Sequence, residues 1–189
     1  WLVNSFRQLR KANHSLHLLL IGAPPSVVES VRTLADDGCV TVVDRVLGDD
    51  RLRGAYNAMD VFAHSAQQGE SFGYVLAEAA LCELSIVTMA TPWADNSQGW
   101  VAGSSASVAI TPGGFTEAIG QLGSEENQHE RNRRGRDGRQ HIMDSFALDT
   151  VVDEMLSVIL KRKRMSRLPS VSELDSELYQ GFDYPSLLR

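Results

Sequence analysis

Two acids, Glu70 and Glu78, bracket the stretch best suited to chemistry, Gly69-Glu70-Ser71-Phe72-Gly73-Tyr74-Val75-Leu76-Ala77-Glu78. Ser71 is a suitable N-cap for a helix running to about Glu83, in which Phe72, Val75, Leu76, Ala79 and Cys82 recur at the spacing of a buried face. Gly69 and Gly73 leave room for close backbone approach. A helix start offers N–H groups without helical acceptors and the positive end of a dipole, so this one suits an anion. Glu78 lies eight residues beyond Glu70, roughly 12 Å along a helix. An anion with hydroxyls on both sides, such as a nucleotide-sugar, fits that layout. The plainer reading makes Glu70 a first-turn acid favoured by the dipole and Glu78 a solvent-facing helix acid. Only the order of the surrounding elements favours chemistry.

Those elements alternate. Trp1 to Ala12 is a helix with Leu2, Val3, Phe6 and Leu9 on one face and basic residues opposite. His17 to Gly22 is an apolar run ended by glycine, as in a buried parallel strand. A single helix from Ser26 to Ala35, a strand from Cys39 to Val43 and a helix from Asp49 to Met59 follow. Next come a strand at Asp60–His64, the helix through Glu78, a strand at Ser85–Thr88 and a polar loop, Thr91 to Gln98. A short helix near Gln98–Ala102, a strand at Ser107–Ile110 and helices at Phe115–Leu122, Arg131–Phe146 and Asp149–Lys161 complete the pattern. Strands alternating with helices predict an α/β fold, a Rossmann-like parallel sheet with helices on both faces. Right-handed crossovers then put ligand sites at the carboxyl ends of the strands, so the loops after Ile21, Val43, Ala63 and Thr88 line one crevice.

The totals are compatible. The 189 residues suffice for one domain with a tail, divided here as 1–160 and 161–189, and a hydrophobic share of 43% supplies a core. A net charge of −6 argues against general nucleic-acid binding. No apolar run is long enough to span a membrane, and the amphipathic first residues are not a signal peptide. Cys39 and Cys82 lie in apolar runs without a C-x-x-C partner and read as reduced core residues of a cytoplasmic protein. No cluster of His, Asp and Glu has metal-ligand spacing. Lys161-Arg162-Lys163-Arg164 suits a helix C-terminus, with a peripheral membrane or partner contact as the alternative.

The E-x7-E spacing of Glu70 and Glu78, with Phe72-Gly73 inside it, a strand before, a helix through it, and a strand and polar loop after, resembles the signature of the glycosyl-transferases-group-1 family. These are retaining glycosyltransferases of GT-B fold, and the resemblance runs from about Trp1 to Leu160, their C-terminal, donor-binding half. It implies that Glu70 is the acid near the donor sugar and that Glu78 accepts hydrogen bonds from ribose hydroxyls. It further implies that Ser71, Phe72 and Gly73 present backbone N–H groups to the diphosphate, and that Asp95, Asn96, Ser97 and Gln98 approach the phosphates and sugar. Arg45 falls where relatives meet the nucleobase. His64-Ser65 stands where relatives often have Pro-Ser, and His64 is given no catalytic role. Glu83 and Ser85 replace the usual Gly and Pro after the signature helix, which changes the turn. Gly99-Trp100 stand where relatives often carry another Glu after the polar loop.

In the family the transfer needs no metal or cofactor, because cationic side chains and the helix dipole stabilise the leaving diphosphate. Those Arg and Lys residues normally precede the helix at Trp1, so they, the first, central strand and the N-terminal acceptor domain are expected to be missing. The chain opens within a helical pattern without an initiator Met, which predicts a fragment that binds donor weakly and transfers nothing alone.

Three rivals share these residues. Gly69 to Gly73 also satisfies G-x-S-x-G, the nucleophile elbow of α/β-hydrolases, with Ser71 as nucleophile and Asp95 or Asp137 and His141 to follow. The strand ends five residues too early for an elbow, and no HGGG-type segment precedes it. A sugar-nucleotide epimerase of GT-B fold would need the same donor site. A doubly wound regulatory domain would need an acidic cluster, a P-loop or a G-x-G-x-x-G that the sequence lacks.

Overall fold

A computed structural model describes residues 1–66, 68–91 and 96–163, with residues 162 and 163 as backbone only. Residues 1–142 and 143–189 form two compact units. Chain order in the first is α1 (Leu2–Ala12), β1 (Leu18–Ile21), α2 (Pro25–Ser30), α3 (Arg32–Asp36), β2 (Val40–Val43), α4 (Asp49–Asn57), β3 (Val61–His64), α5 (Tyr74–Leu81), β4 (Ser85–Met89), α6 (Ser97–Ala102), β5 (Ser107–Ala109), α7 (Pro112–Leu122) and most of α8 (Gln128–Phe146). In the second unit α9 (Leu148–Lys163) exposes Val151, Val152, Met155, Leu156 and Ile159.

All strand pairings are parallel. The strands lie in two ribbons, β1-β2 and β3-β4-β5, rather than one continuous sheet. All five residues of β4, one longer than the expected Ser85–Thr88, are buried because helices cover both faces. Val87 and Met89 cluster with Phe115 and Leu122 of α7, while α5 and α6 pack on β4 and on each other. Around the other ribbon, Leu18, Leu20, Cys39 and Val40 cluster with Phe6 and Val31. Helix α1 joins the two: Leu2 packs against both clusters, and the buried hydroxyls of Ser5 and Thr116 hydrogen-bond at 2.7 Å.

Between β1 and β3 lies a cavity of about 490 Å³, lined by Leu18, Leu19, Val61, Phe62, Leu2 and Phe6 among others. Among the described residues, β1 is hydrogen-bonded only to β2 and β3 only to β4, so each turns an open edge toward this space.

The structure corrects three local expectations. The helix expected from Ser26 to Ala35 is two, α2 and α3, because fully buried Val31 leaves helical geometry at φ −107° to enter the core. Helix α5 starts at Tyr74, and Gly73, not Ser71, is its N-cap, with φ +80° in the left-handed region open to glycine. The buried face shifts with it: Leu76, Ala79 and Ala80 are inside, whereas Val75 is exposed.

The turn after α5 has Schellman geometry. Glu83 N–H donates to Ala80 O at 2.9 Å and Leu84 N–H to Ala79 O at 3.1 Å, which puts Glu83 at the left-handed position, φ +59°. Glycine is the ordinary occupant. The strain exceeds what an exposed Glu83–Arg139 pair at 3.0 Å returns. Glu83→Gly is therefore expected to stabilise the chain by about 1 kcal/mol, a rise in Tm of roughly 2–4 °C on thermal unfolding. A lower Tm would show that the turn does not hold this conformation in solution.

Candidate functional site

The site is assembled at the carboxyl ends of β3 and β4. Beyond β3 the chain leads to α5, whose first N–H groups, those of Tyr74 and Val75, have no helical acceptor. On this start the free donors are Tyr74 and Val75, one helical step beyond Ser71, Phe72 and Gly73. Ser71 is exposed, and the Phe72 ring lies 5.1 Å from that of Tyr74, centroid to centroid. Gly73 is buried, and a Cβ there would stand 2.8 Å from Glu70 Cγ and 2.8 Å from Leu76 Cδ1. Close approach, as well as φ, explains the glycine.

The polar loop is pinned at its base. Asn96 Oδ1 accepts from Thr91 N–H at 2.8 Å and from Gln98 Nε2 at 2.8 Å, while Asn96 Nδ2 donates to Thr91 O at 2.6 Å. Residues Glu70 and Asn96 form a parallel β-bridge, with Ser97 N–H donating to Glu70 O at 3.0 Å. Glu70 and the loop base are thus one hydrogen-bonded unit. Gln98 is fully buried and its Nε2 also donates to Met89 O at 2.8 Å, so this residue, expected at the ligand, ties the loop base to the end of β4. Asp95 lies outside the described residues.

Each acid has its own partner. The Glu70 carboxylate faces His64, with Oε2 3.7 Å from Nε2. His64 Nδ1 is 3.0 Å from the Thr88 hydroxyl. Burial pushes the His64 pKa below its ordinary value of 6.5, and the Glu70 charge opposes the shift. The Glu78 carboxylate, eight residues on, accepts from the Tyr56 hydroxyl of α4 at 2.8 Å. Tyr56 also packs edge-on against Phe62, their centroids 5.7 Å apart. Glu78 is therefore a half-buried acid tied to a neighbouring helix, not the solvent-facing one of the plainer reading. The pairing spans 22 positions, and no local pattern signals it.

Burial and the Glu78 bond both push the Tyr56 phenol well above its ordinary 10.0. A group raised in the folded state contributes stability that is complete below pH 10 and is lost as pH climbs past it. In an ultraviolet alkaline titration, Tyr56 should stay protonated until the chain unfolds. The early ionising amplitude should be the same in Tyr56→Phe, and a drop would refute the contact.

Arg45 is exposed after β2. The hydrolase constellation is engaged elsewhere: Asp137 pairs with Arg133 at 2.8 Å, and His141 Nε2 lies 2.9 Å from Trp100 O. The β1–β3 cavity is not lined by Glu70 or Glu78, nor is a second cavity of about 420 Å³ around Asp60, Glu83 and Arg136 near the opposite strand ends. Size does not mark the chemistry here. Both thiols are free, Cys39 buried and Cys82 partly so. Among the described residues no group of three His, Cys, Asp or Glu side chains could hold a metal ion, and no helix is long and apolar enough to cross a membrane.

Comparison with known proteins places this geometry. The profile described as "Glycosyl transferases group 1" matches residues 1–125. No curated protein matches. Among solved structures, a glycosyltransferase from Rickettsia africae ESF-5 is similar at a TM-score of 0.64 and 13% identity, over 84% of this chain and 43% of that one. Sucrose-phosphate synthase from Thermosynechococcus elongatus gives 0.61 and 16%, over 83% and 41%. The pneumococcal O-GlcNAc transferase GtfA, solved with UDP and GlcNAc, gives 0.60 and 15%, over 87% and 33%. The chain spans less than half the length of each of these proteins. At such identities the likeness is one of fold, the Rossmann-like half of a GT-B protein. The family match and the fold agree: the chain belongs to the glycosyl transferases group 1 family.

Proposed function

We propose that residues 1–160 are the donor-binding domain of a retaining glycosyltransferase that moves a sugar from a nucleoside-diphosphate sugar to an acceptor held by a preceding domain. The carrying observation is the bridge between Glu70 and Asn96, which fixes an acid and a polar loop base beside a helix start. In this reading Glu70 contacts the sugar hydroxyls and stabilises charge at the reacting carbon. N–H groups at the start of α5 and the helix dipole receive the diphosphate, Asp95, Asn96 and Ser97 border it, and Arg45 lies toward the base. Glu78, held by Tyr56, accepts from the ribose hydroxyls. Gln98 acts through Asn96. The relative solved with UDP and GlcNAc supports a nucleotide donor.

The open edges of β1 and β3 support the view that a further central strand, with the diphosphate-neutralising cations, belongs between them. No step in this reading calls for a metal. The enzyme would work in the cytoplasm, with the basic run at Lys161 as a helix C-terminus and a peripheral membrane contact as the alternative.

Calorimetric titration of the intact protein with UDP and GDP tests the ribose role. Glu78→Ala should weaken the preferred nucleotide roughly 10- to 100-fold, the worth of hydrogen bonds to a charged group. Unchanged affinity would remove Glu78 from the site. Release of an isomerised nucleotide-sugar without acceptor would instead identify an epimerase.

A further inference from the structure

We propose that His64 is the positioning residue for Glu70, a neutral imidazole clamped between Thr88 and the carboxylate that fixes where the acid points. The inference rests on the donor-site reading of Glu70 for its functional half, but its geometry stands alone. His64 and Thr88 are register partners across β3 and β4, so the ring is set by two strands rather than by a loop. Its side chain is 13% exposed, against 27% for that of Glu70. Thr88 is fully buried, and its hydroxyl meets His64 Nδ1 at 3.0 Å.

The proton placement follows from the neighbours. If Nδ1 carried the hydrogen, the Nε2 lone pair would face a carboxylate oxygen 3.7 Å away, which is repulsive. With the Thr88 hydroxyl donating to Nδ1, the hydrogen sits on Nε2 and points at Glu70. Burial disfavours the charged ring. A neutral ring whose N–H dipole faces the carboxylate orients the acid without cancelling the negative charge that the donor sugar requires. Gly73 adds a second close neighbour, since any Cβ there would press on Glu70 Cγ at 2.8 Å. Glu70 thus meets both an imidazole and a bare backbone.

Two experiments separate this inference from the reading beneath it. In nitrogen-15 imidazole spectra of the chain, His64 should be the Nε2–H tautomer, and Glu70→Gln should shift its resonances and lower its pKa further. An Nδ1–H tautomer, or resonances indifferent to Glu70→Gln, would overturn the proposal whatever the enzyme does. In the intact protein, with a panel of uridine- and guanosine-diphosphate sugars, His64→Asn keeps a partner for Thr88 but is too short to reach Glu70. It should lower kcat about tenfold with donor KM changed less than about twofold. His64→Gln, whose amide can reach the carboxylate, should recover kcat to within about threefold of wild type. If Glu70→Gln abolishes turnover while His64→Asn retains it, the positioning role fails and the donor site stands. If Glu70→Gln retains turnover, the donor-site reading fails, and so does the functional half of this proposal.

Discussion

Glu70→Gln should lower donor-sugar turnover by the intact protein by about 100-fold or more, with nucleotide affinity within about threefold of wild type. The substitution keeps the shape of the side chain and removes its charge. Loss of one preorganised group that stabilises charge in a transition state costs about 10²–10³ in kcat. Affinity should hold because the carboxylate faces His64 at 3.7 Å, whereas the N–H groups assigned to the diphosphate belong to the start of α5. The backbone bridge from Glu70 to Asn96 does not involve the side chain, so the loop base should stay in place. Steady-state kinetics with uridine- and guanosine-diphosphate sugars decide it. Turnover equal to wild type would take Glu70 out of the chemistry.

The second large effect is on stability. Gly135 of α8 lies against the turn after α5, where an added Cβ would stand 1.8 Å from Glu83 O and 2.5 Å from Glu83 C. Both are backbone atoms, so no side chain can swing away. Alanine brings about 1 kcal/mol of helix propensity, but overpacking of this severity costs about 3 kcal/mol or more. Gly135→Ala should lower Tm by roughly 5 °C or more on thermal unfolding. Gly54→Ala in α4, where nothing lies within 4 Å of the new Cβ, is the matched control and should hold or raise Tm. If Gly135→Ala behaves like the control, α8 does not sit on that turn.

What the sequence disclosed follows the range of the forces involved. The strand expected at Ser85–Thr88 is β4, one residue longer and buried at all five positions between helices. The order of strands and helices, and with it the location of Glu70 at a strand tip, came from short-range patterning. Boundaries set by one backbone angle did not. The left-handed turn at Gly73 moves the helix start, and the break at Val31 is driven by its burial rather than by any breaker residue. Glu83 conceals a turn that glycine would have announced. Side-chain partnerships were least legible. Tyr56 reaches Glu78 across 22 positions and His64 meets Thr88 across 24, and only the parallel packing of β3, β4 and the helices brings them together. The family resemblance puts Gln98 at the ligand, yet its amide nitrogen links Asn96 to the end of β4.

The divided sheet has a mechanical meaning. Among the described residues β1 and β3 share no hydrogen bond, and α1 links the ribbons through Leu2 in both cores and the Ser5–Thr116 bond. That helix is a rivet, and the cooperativity of the first unit is only as strong as its hold. Loosen it, and the two ribbons would open separately, leaving the acids on the three-stranded one without the support of the other.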